Sequence, residues 1–362
     1  MKKIFIISII CLFQLSAISA KEQFIYQQIS RNEGFTSTVN CIFKEKDGDV
    51  WLGTPNGLYR YNGYTLRHYQ DSLLGNRRIN KITEDKHGNM WVLTDHWLLY
   101  RKKGSQKFKS ICIDSIKEKQ PFHSICEDEE GLWLGGSGRL FRYTFKDESF
   151  SVFKELKGDS FFIFRHLGIL DQGKLLCGSH SGMLMVDINS GEVSDIKVSP
   201  FLEVSSSMTD SKGNIWVGFY NHGIEVYDKN GNRIKCYNTG NSHLSNDIVL
   251  CMTERDSSIW AGTDGGGINI IDPETDNISV LSHIAGDPSS FPAHSIKSIY
   301  TDRHGNIWAG SVRDGLIRVS ISEMKTYSDS HIGTNAGLSN PTVLCIYEDT
   351  GSGNIWVGTD GE

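Results

Sequence analysis

Histidine and cysteine are the side chains of this sequence best suited to bind a metal or to act as nucleophiles. The 12 histidines are scattered, without an HExxH motif or a pair at the spacing of zinc ligands. The eight cysteines include no CxxC pair, and three share one apolar context: VNCIF at Cys41, VLCMT at Cys251 and VLCIY at Cys345. A small apolar residue at one point of a buried strand explains that recurrence better than redox chemistry does. We therefore predict no metal site, no cofactor and no catalytic residue.

Acidic residues also recur, and they could be misread as catalytic carboxylates. Asp85, Asp128, Asp210 and Asp302 each follow an apolar stretch and precede a short turn. Because they occupy the same point of a repeated pattern, turn stabilisation explains them better than catalysis does. The segment GTDGGG at 262–267 is similar to a phosphate-binding loop only in composition, since it joins two predicted strands and opens no helix.

Candidate ligand-binding residues lie instead in predicted loops, at points where the chain departs from its repeat. Loops are free to vary while the elements they join are not, so binding residues concentrate there. Aromatic faces and hydrogen-bonding groups suit a carbohydrate, and arginine suits an acidic sugar. The alternative is that these are ordinary exposed loop residues. The candidates are Arg77, Arg78, Arg165, His166, Tyr220, His222, Asp264 and Arg313.

An internal repeat organises the whole chain. A tryptophan followed by glycine and then threonine or serine, as in GNIWVGTDG, recurs in eight related segments spaced 40 to 48 residues apart. Leu176 takes the tryptophan position in the fourth copy. The tryptophans of the repeat are Trp51, Trp91, Trp133, Trp216, Trp260, Trp308 and Trp356.

Each repeat predicts four short antiparallel β-strands, which is the content of one propeller blade. The second strand is apolar at consecutive positions, as at 215–217, so both of its faces must be covered by neighbouring sheets. The glycine after the tryptophan strand would let the next blade approach closely. We predict an all-β fold, a β-propeller of seven four-stranded blades with an eighth, truncated repeat unit. An open solenoid is the alternative, but its units are usually single hairpins or helix pairs.

Eight copies of the repeat leave the number of blades open. We expect the strand near residues 24–29 to complete the seventh blade and close the ring, so that residues 21–323 form one propeller. Residues 324–362 would then begin a second, truncated propeller. The alternative is an eight-bladed ring, in which the strand around Trp356 packs between the first and seventh blades.

The first twenty residues have the pattern of a cleaved signal peptide. Lys2 and Lys3 precede a 12-residue apolar core at 4–15, and small residues follow it. A membrane anchor is the alternative, but this core is well short of the ~20 residues that span a bilayer. The net charge of −6 is spread without basic runs, which argues against nucleic acid and against a polybasic membrane contact.

The stretch GFTSTVNCIFKEKDGDVWLGTPNGLYRYNGYTLRHY (34–69), followed by repeated GNIWVGTDGG-like units, resembles two-component regulator propeller repeats. Such repeats form the periplasmic sensor region of hybrid two-component systems in gut Bacteroidetes. The resemblance covers residues 24–362. It implies a longer parent with two propellers, an immunoglobulin-like domain, a span of the inner membrane, a histidine kinase, a receiver and a DNA-binding region. This chain would be its N-terminal part, without the kinase.

The resemblance implies a periplasmic sensor propeller that responds to glycan fragments and is not itself an enzyme. The expected partners are an oligosaccharide, the downstream domains of the parent and, in the full-length parent, a second copy of the protein. Two other classes stay open. One is a propeller lyase acting on a polysaccharide or a small cyclic substrate, and the other is a non-catalytic scaffold whose loops bind protein.

Overall fold

The computed structural model describes residues 23–29, 35–46, 48–95, 97–111, 121–156, 162–171, 173–196, 202–322, 342–349 and 354–360. This part of the chain contains 30 β-strands and no helix. The strands of the first half are β1 (Gln23–Gln28), β2 (Cys41–Lys44), β3 (Val50–Thr54), β4 (Gly57–Tyr61), β5 (Leu66–His68), β6 (Ile79–Glu84), β7 (Met90–Thr94), β8 (Leu98–Arg101), β9 (Lys109–Ile111), β10 (Ser124–Glu127), β11 (Gly131–Gly135), β12 (Arg139–Thr144), β13 (Ser149–Glu155), β14 (His166–Asp171), β15 (Lys174–Ser179), β16 (Gly182–Asp187) and β17 (Val193–Ile196). Those of the second half are β18 (Val204–Thr209), β19 (Ile215–Phe219), β20 (Ile224–Tyr227), β21 (Arg233–Tyr237), β22 (Val249–Arg255), β23 (Ser258–Thr263), β24 (Ile268–Ile271), β25 (Ile278–Leu281), β26 (Ile296–Thr301), β27 (Ile307–Ser311), β28 (Leu316–Ser322), β29 (Val343–Asp349) and β30 (Asn354–Thr359).

Twenty-eight of these strands form seven antiparallel four-stranded sheets, the blades of a ring. Blades one to six take consecutive strands from β2 to β25, and blade seven is made of β26, β27, β28 and β1. The first strand of each blade is the innermost one, and each inner strand contacts the inner strands of both neighbouring blades. The predicted seven-bladed β-propeller is confirmed.

The N-terminal strand closes the ring. β1 pairs with β28 over its whole length, from Gln23 opposite Ser322 to Gln28 opposite Ile317. The ring of Phe24 lies edge-on against the Trp260 indole, with centroids 5.4 Å apart, so β1 also packs on blade six. Blade one contacts blade seven directly through β2 and β26, which leaves no room for a further blade between them. The eight-bladed alternative is therefore wrong.

Stacking of neighbouring blades explains the repeated tryptophan. The second strand of every blade contains five consecutive buried residues. Seven apolar clusters fill the seven junctions between blades, and each contains one residue of the repeat position. Burying one tryptophan removes roughly 150–250 Å² from water. At about 25 cal/mol per Å² this contributes at most about 4–6 kcal/mol per blade.

Close approach of the blades depends on the glycine that follows the tryptophan strand. A Cβ at Gly310 would lie 2.6 Å from the Val39 side chain of the next blade, and one at Gly53 would lie 2.7 Å from Ile79. These distances are shorter than real Cβ contacts, so the predicted role of the glycine is confirmed at both junctions. Blade two differs, because Leu93 replaces the glycine there.

The recurring aspartates hold both the turn and the tryptophan. Asp85, Asp128, Asp210 and Asp302 each accept a hydrogen bond from the indole nitrogen of their own blade's tryptophan, over 2.7 to 3.0 Å. Their other carboxylate oxygen accepts backbone N–H groups of the first turn. The turn role predicted for these acids is confirmed, and the indole bond adds a link to the core.

The tryptophan of the eighth repeat differs from the others. β29 and β30 form a separate two-stranded sheet, in which Trp356 is opposite Tyr347. Trp356 is 64% exposed, whereas the six tryptophans at the repeat position within the ring are at most 4% exposed. Trp356 lies on a hairpin that no described blade covers, in accord with its expected place outside the ring. The hairpin fits the predicted truncated eighth unit, and the boundary at 323–324 lies outside the described residues.

The predicted signal peptide, residues 1–20, lies outside the described residues. Within the described residues, no helix has the length and apolar character needed to cross a bilayer.

Candidate functional site

One face of the ring gathers all the predicted ligand-binding residues. In antiparallel blades, the turn between the second and third strands and the link from one blade to the next open on the same side. We call this side the link face. Arg77, Arg78, Arg165 and His166 lie on links or at their ends, and Tyr220, His222, Asp264 and Arg313 lie in second turns.

The inner strands carry an irregularity where they leave the link face. In four blades the pairing register of the inner strand shifts by one residue, which marks a β-bulge at Asn80, Ser205, Leu250 and Lys297. Bulges redirect side chains and are common beside binding sites. With the equivalent residues of the other blades, these positions form what we call the mouth ring: Asn40, Asn80, His123, Arg165, Ser205, Leu250 and Lys297.

Three members of the mouth ring tie neighbouring blades together. The side-chain amide of Asn40 donates to the carbonyl of Ile79 over 3.0 Å, and that of Asn80 donates to the carbonyl of Phe122 over 3.2 Å. The Ser205 hydroxyl donates in the same way to the carbonyl of the next blade. These polar groups are used in holding the ring, so ligand recognition must rely on other members.

Positive charge collects at the channel mouth, the end of the propeller's central channel that the mouth ring surrounds. Lys297 and Arg165 belong to the mouth ring, and Lys81 follows Asn80 on β6. His166 is half-buried on β14. Burial first, and then the charges of Lys81, Lys297 and Arg165, lower the pKa of His166 to about 3. Its imidazole is therefore neutral at any physiological pH.

Arg165 and Tyr220 are brought together through Glu203. The Arg165 guanidinium is 2.5 Å from the Glu203 carboxylate, and both side chains stay partly exposed. The backbone carbonyl of Glu203 accepts the N–H of Tyr220 over 2.9 Å. Tyr220 is 50% exposed, so it presents an aromatic face beside this ion pair.

Asp264 and the turn containing Arg313 meet at Ser295. The hydroxyl of Ser295 donates to the Asp264 carboxylate over 2.6 Å, and its carbonyl accepts the N–H of Val312 over 3.0 Å. Arg313 is exposed beside this contact. Blades six and seven therefore offer a second polar group on the link face.

Arg77 and Arg78 lie by an aromatic residue that the sequence analysis missed. The Arg77 guanidinium stands 5.4 Å from the ring centroid of Trp97, and the Arg78 side chain donates to Asn80 over 3.1 Å. Trp97 is 39% exposed and lies between the second and third strands of blade two. Trp97 is the one tryptophan of the sequence that lies outside the repeat position. This departure from the repeat could have identified it as a candidate binding residue.

His222 turns away from the channel toward a buried carboxylate. Its Nε2 lies 3.4 Å from Glu225, which is fully buried and also binds Arg233 over 2.6 Å and the Tyr227 hydroxyl. The donor atoms of His222, Glu225 and Cys236 lie within 4.8 Å of one another. A metal here would compete with the Arg233 guanidinium for Glu225, so these contacts describe a buried ion-pair network rather than a built metal centre.

A surface depression on the outer edge of blades five and six is a less suitable binding site. It has a volume of about 570 Å³ and is lined by Lys235, Tyr237 and Asp276 among others. The Lys235 ammonium and the Tyr237 hydroxyl each lie 2.6 Å from the Asp276 carboxylate. Its main polar groups are therefore already paired with one another.

Three segments of the sequence match a known repeat. The sequence model of the two component regulator propeller matches residues 72–96, 290–313 and 337–361. The chain therefore carries two-component regulator propeller repeats. Each matched segment contains the first two strands of a repeat unit: β6 with β7, β26 with β27, and β29 with β30.

The chain is similar to parts of longer proteins. A structure described as the extracellular domain of the hybrid two component system BT3049 from B. thetaiotaomicron has a TM-score of 0.73 and 21% identity, covering 93% of this chain and 47% of that one. Histidine kinase P4 of Formosa agariphila is 27% identical, covering 79% of this chain and 26% of the kinase. The chain thus spans about half of the extracellular domain and about a quarter of the kinase.

Propellers with other activities share the fold. Virginiamycin B lyase from Staphylococcus aureus has a TM-score of 0.64 and 14% identity, covering 83% of this chain and 99% of that one. Likeness at this level of identity shows the seven-bladed fold alone.

Proposed function

We propose that the chain is the periplasmic ligand-sensing propeller of a hybrid two-component regulator and that it responds to glycan fragments. The observation that carries this proposal is the regulator repeat itself, which matches the chain in three segments and recurs in a ring similar to an extracellular domain of such a system. Export by the signal peptide at 1–20 and anchoring of the parent in the inner membrane belong to the same proposal.

The link face supports a carbohydrate ligand. It combines exposed aromatic rings, Trp97 and Tyr220, with the guanidinium groups of Arg77 and Arg165. Sugars are bound by stacking on aromatic faces and by charged or polar groups that take their hydroxyls and carboxylates. These groups stand on turns and links held by seven packed blades, so a ligand would meet a preformed surface.

Signal transfer would use the ring as a rigid body. Ligand binding would select one arrangement of the propeller relative to the domains that follow it, and this choice would bias a kinase across the membrane. The hairpin β29–β30 exposes Leu344, Ile346, Tyr347 and Trp356, the residues that a neighbouring blade would cover. It is therefore proposed as the start of a second propeller, within a parent that also contains immunoglobulin-like and kinase domains and acts as a homodimer.

Calorimetry tests the proposal. The purified chain is titrated with a panel of neutral and acidic oligosaccharides, and each mixture is analysed for changed sugar. Binding of at least one oligosaccharide without turnover is expected. Failure of every oligosaccharide to bind would contradict glycan sensing, and release of an unsaturated sugar product would favour a lyase instead.

A further inference from the structure

The two lysines of the channel mouth have charges that nothing in the described structure neutralises. Lys81 is exposed and Lys297 is half-buried, although both lie on innermost strands. Neither side chain has an ion pair or a hydrogen bond among the described residues. Since the inner strands surround the channel, an exposed side chain on one of them opens onto the axis.

The register of blade two explains the position of Lys81. In five other blades the residue at this point faces the glycine of the second strand and is small, as with Cys41 opposite Gly53 and Ser298 opposite Gly310. In blade two, Lys81 is opposite Leu93. The long lysine side chain therefore cannot lie over a glycine and must extend past a bulky neighbour.

The charge of Lys81 also influences the pKa of groups in several blades. Its charge acts on Cys41, Cys126, His166 and Cys251, which belong to four other blades. The charge of Lys297, on blade seven, also acts on His166 and Cys251. Only groups close to the axis are near residues of so many blades.

Carboxylates are missing from this part of the inner strands. The mouth ring and the residues that follow it hold two lysines, one arginine, two histidines and no acid: Asn40, Cys41, Asn80, Lys81, His123, Ser124, Arg165, His166, Ser205, Ser206, Leu250, Cys251, Lys297 and Ser298. Two carboxylates approach from the link side: Glu203 binds Arg165, and Asp95 accepts a hydrogen bond from the Asn80 amide over 3.0 Å. The Nε2 atom of His123 is buried and has no hydrogen-bond partner among the described residues.

We propose that the channel mouth is an anion subsite, in which Lys81 and Lys297 hold a carboxylate or sulfate group of the ligand, with His123 and His166 as hydrogen-bonding neighbours. It rests on the proposed function, because the anion would be part of the glycan. The aromatic and arginine groups of the link face would hold the rest of the sugar, and the lysines would select acidic over neutral oligosaccharides. An unpaired charge in a confined site gains more from an anion than one at an open surface does.

Calorimetry with matched sugars tests the subsite. The probes are a galacturonic acid trisaccharide, a galactose trisaccharide, a sulfated N-acetylglucosamine and inorganic sulfate. We expect the acidic sugars to bind at least about tenfold more tightly than the neutral one, a difference of about 1.4 kcal/mol. Sulfate alone binding as tightly as the acidic sugars would assign the subsite to a free anion, whereas weaker sulfate binding would assign it to a sugar-borne one.

Charge variants separate recognition from folding. The double variant Lys81→Ala/Lys297→Ala should lose about tenfold or more in affinity for the acidic sugars, whereas Lys81→Arg/Lys297→Arg should keep most of it. Lys146→Ala/Lys229→Ala removes the same charge from exposed positions on the opposite face and should change affinity less than about twofold. Thermal unfolding of each variant checks that the ring is intact.

The failures of the two proposals are distinguishable. If a neutral oligosaccharide binds as tightly as an acidic one and the double alanine variant binds both unchanged, the anion subsite is wrong while glycan sensing stands. If no sugar binds but sulfate binds in a lysine-dependent way, glycan sensing is wrong and the subsite stands. If no probe binds the intact chain, both proposals are wrong.

Discussion

Replacement of Asp210 by alanine is the sharpest test of how the blades are held. The Asp210 carboxylate is buried and accepts four hydrogen bonds, from the N–H of Lys212, the N–H and side-chain amide of Asn214, and the indole of Trp216, over 2.7 to 3.0 Å. In the variant the buried indole N–H has no acceptor, which costs about 1–3 kcal/mol, and the turn amides lose about 0.5–1 kcal/mol each. We expect Asp210→Ala to lower the free energy of unfolding by about 3–5 kcal/mol.

Asp228 provides a matched control in the same blade. It accepts three hydrogen bonds from Asn230 and Asn232 in an exposed turn, with almost the same geometry but with no indole donor. Asp228→Ala should therefore cost only about 1 kcal/mol. Urea denaturation of both variants, followed by fluorescence and circular dichroism, measures the difference.

A double-mutant cycle isolates the bond to the indole. Trp216→Phe removes the donor, so Asp210→Ala should cost less in that background, with a coupling energy of about 1–3 kcal/mol. A stabilising role for the indole bond would be excluded if Asp210→Ala were no more destabilising than Asp228→Ala, or if the coupling energy were below about 0.5 kcal/mol.

Three further predictions concern ring closure, blade spacing and pH. Phe24→Ala removes the ring that packs on Trp260 of blade six and should cost about 2–3 kcal/mol in urea denaturation. Ile25→Ala, at an exposed site of the same strand, should cost less than about 0.5 kcal/mol. Equal costs would contradict closure of the ring by this strand. Gly310→Ala should lower the free energy of unfolding by about 1–3 kcal/mol, because the new Cβ would meet Val39 of blade one. Gly168→Ala, whose Cβ would meet nothing within 4 Å, should leave thermal unfolding unchanged. A neutral Gly310→Ala would contradict the close approach of the blades. Burial, with nearby carboxylates, raises the pKa of Glu127 from 4.5 to about 7, so its contribution to stability is present below pH 4.5 and is lost as the pH rises through 7. Glu127→Gln should reduce the fall in unfolding free energy between about pH 4.5 and 7 by about 1–2 kcal/mol. An unchanged pH profile of unfolding would contradict the raised pKa of Glu127.

Repetition made the ring predictable from sequence. Each copy of the repeat shows the same strand pattern, so chance matches at one copy do not mislead. The surplus strand near residues 24–29 had a single geometric role available, which was to complete a blade lacking its fourth strand. The exposure of Trp356 was not predicted, because a local pattern records strand identity but not whether a neighbouring blade covers it.

The candidate site was predictable only in part. Loop positions such as Arg165 and Tyr220 could be placed on one face, since strand direction alone decides this. Their connection through Glu203 could not, because it joins links and turns of two blades. Lys81 and Lys297 come together only when the ring closes, so their 216-residue separation in sequence gives no hint of it. Lys81 did leave a signal, because the equivalent residue of the first and seventh blades is small, Cys41 and Ser298.

Hydrogen–deuterium exchange on the intact chain, with and without a bound acidic oligosaccharide, would show whether a ligand binds at the channel mouth. We expect slower exchange at the start of the inner strands, around residues 79–82, 165–167 and 296–298, and in the second turns, with no change in the turns of the opposite face. Protection confined to the opposite face, or to the outer groove beside Lys235 and Asp276, would contradict a ligand site at the channel mouth.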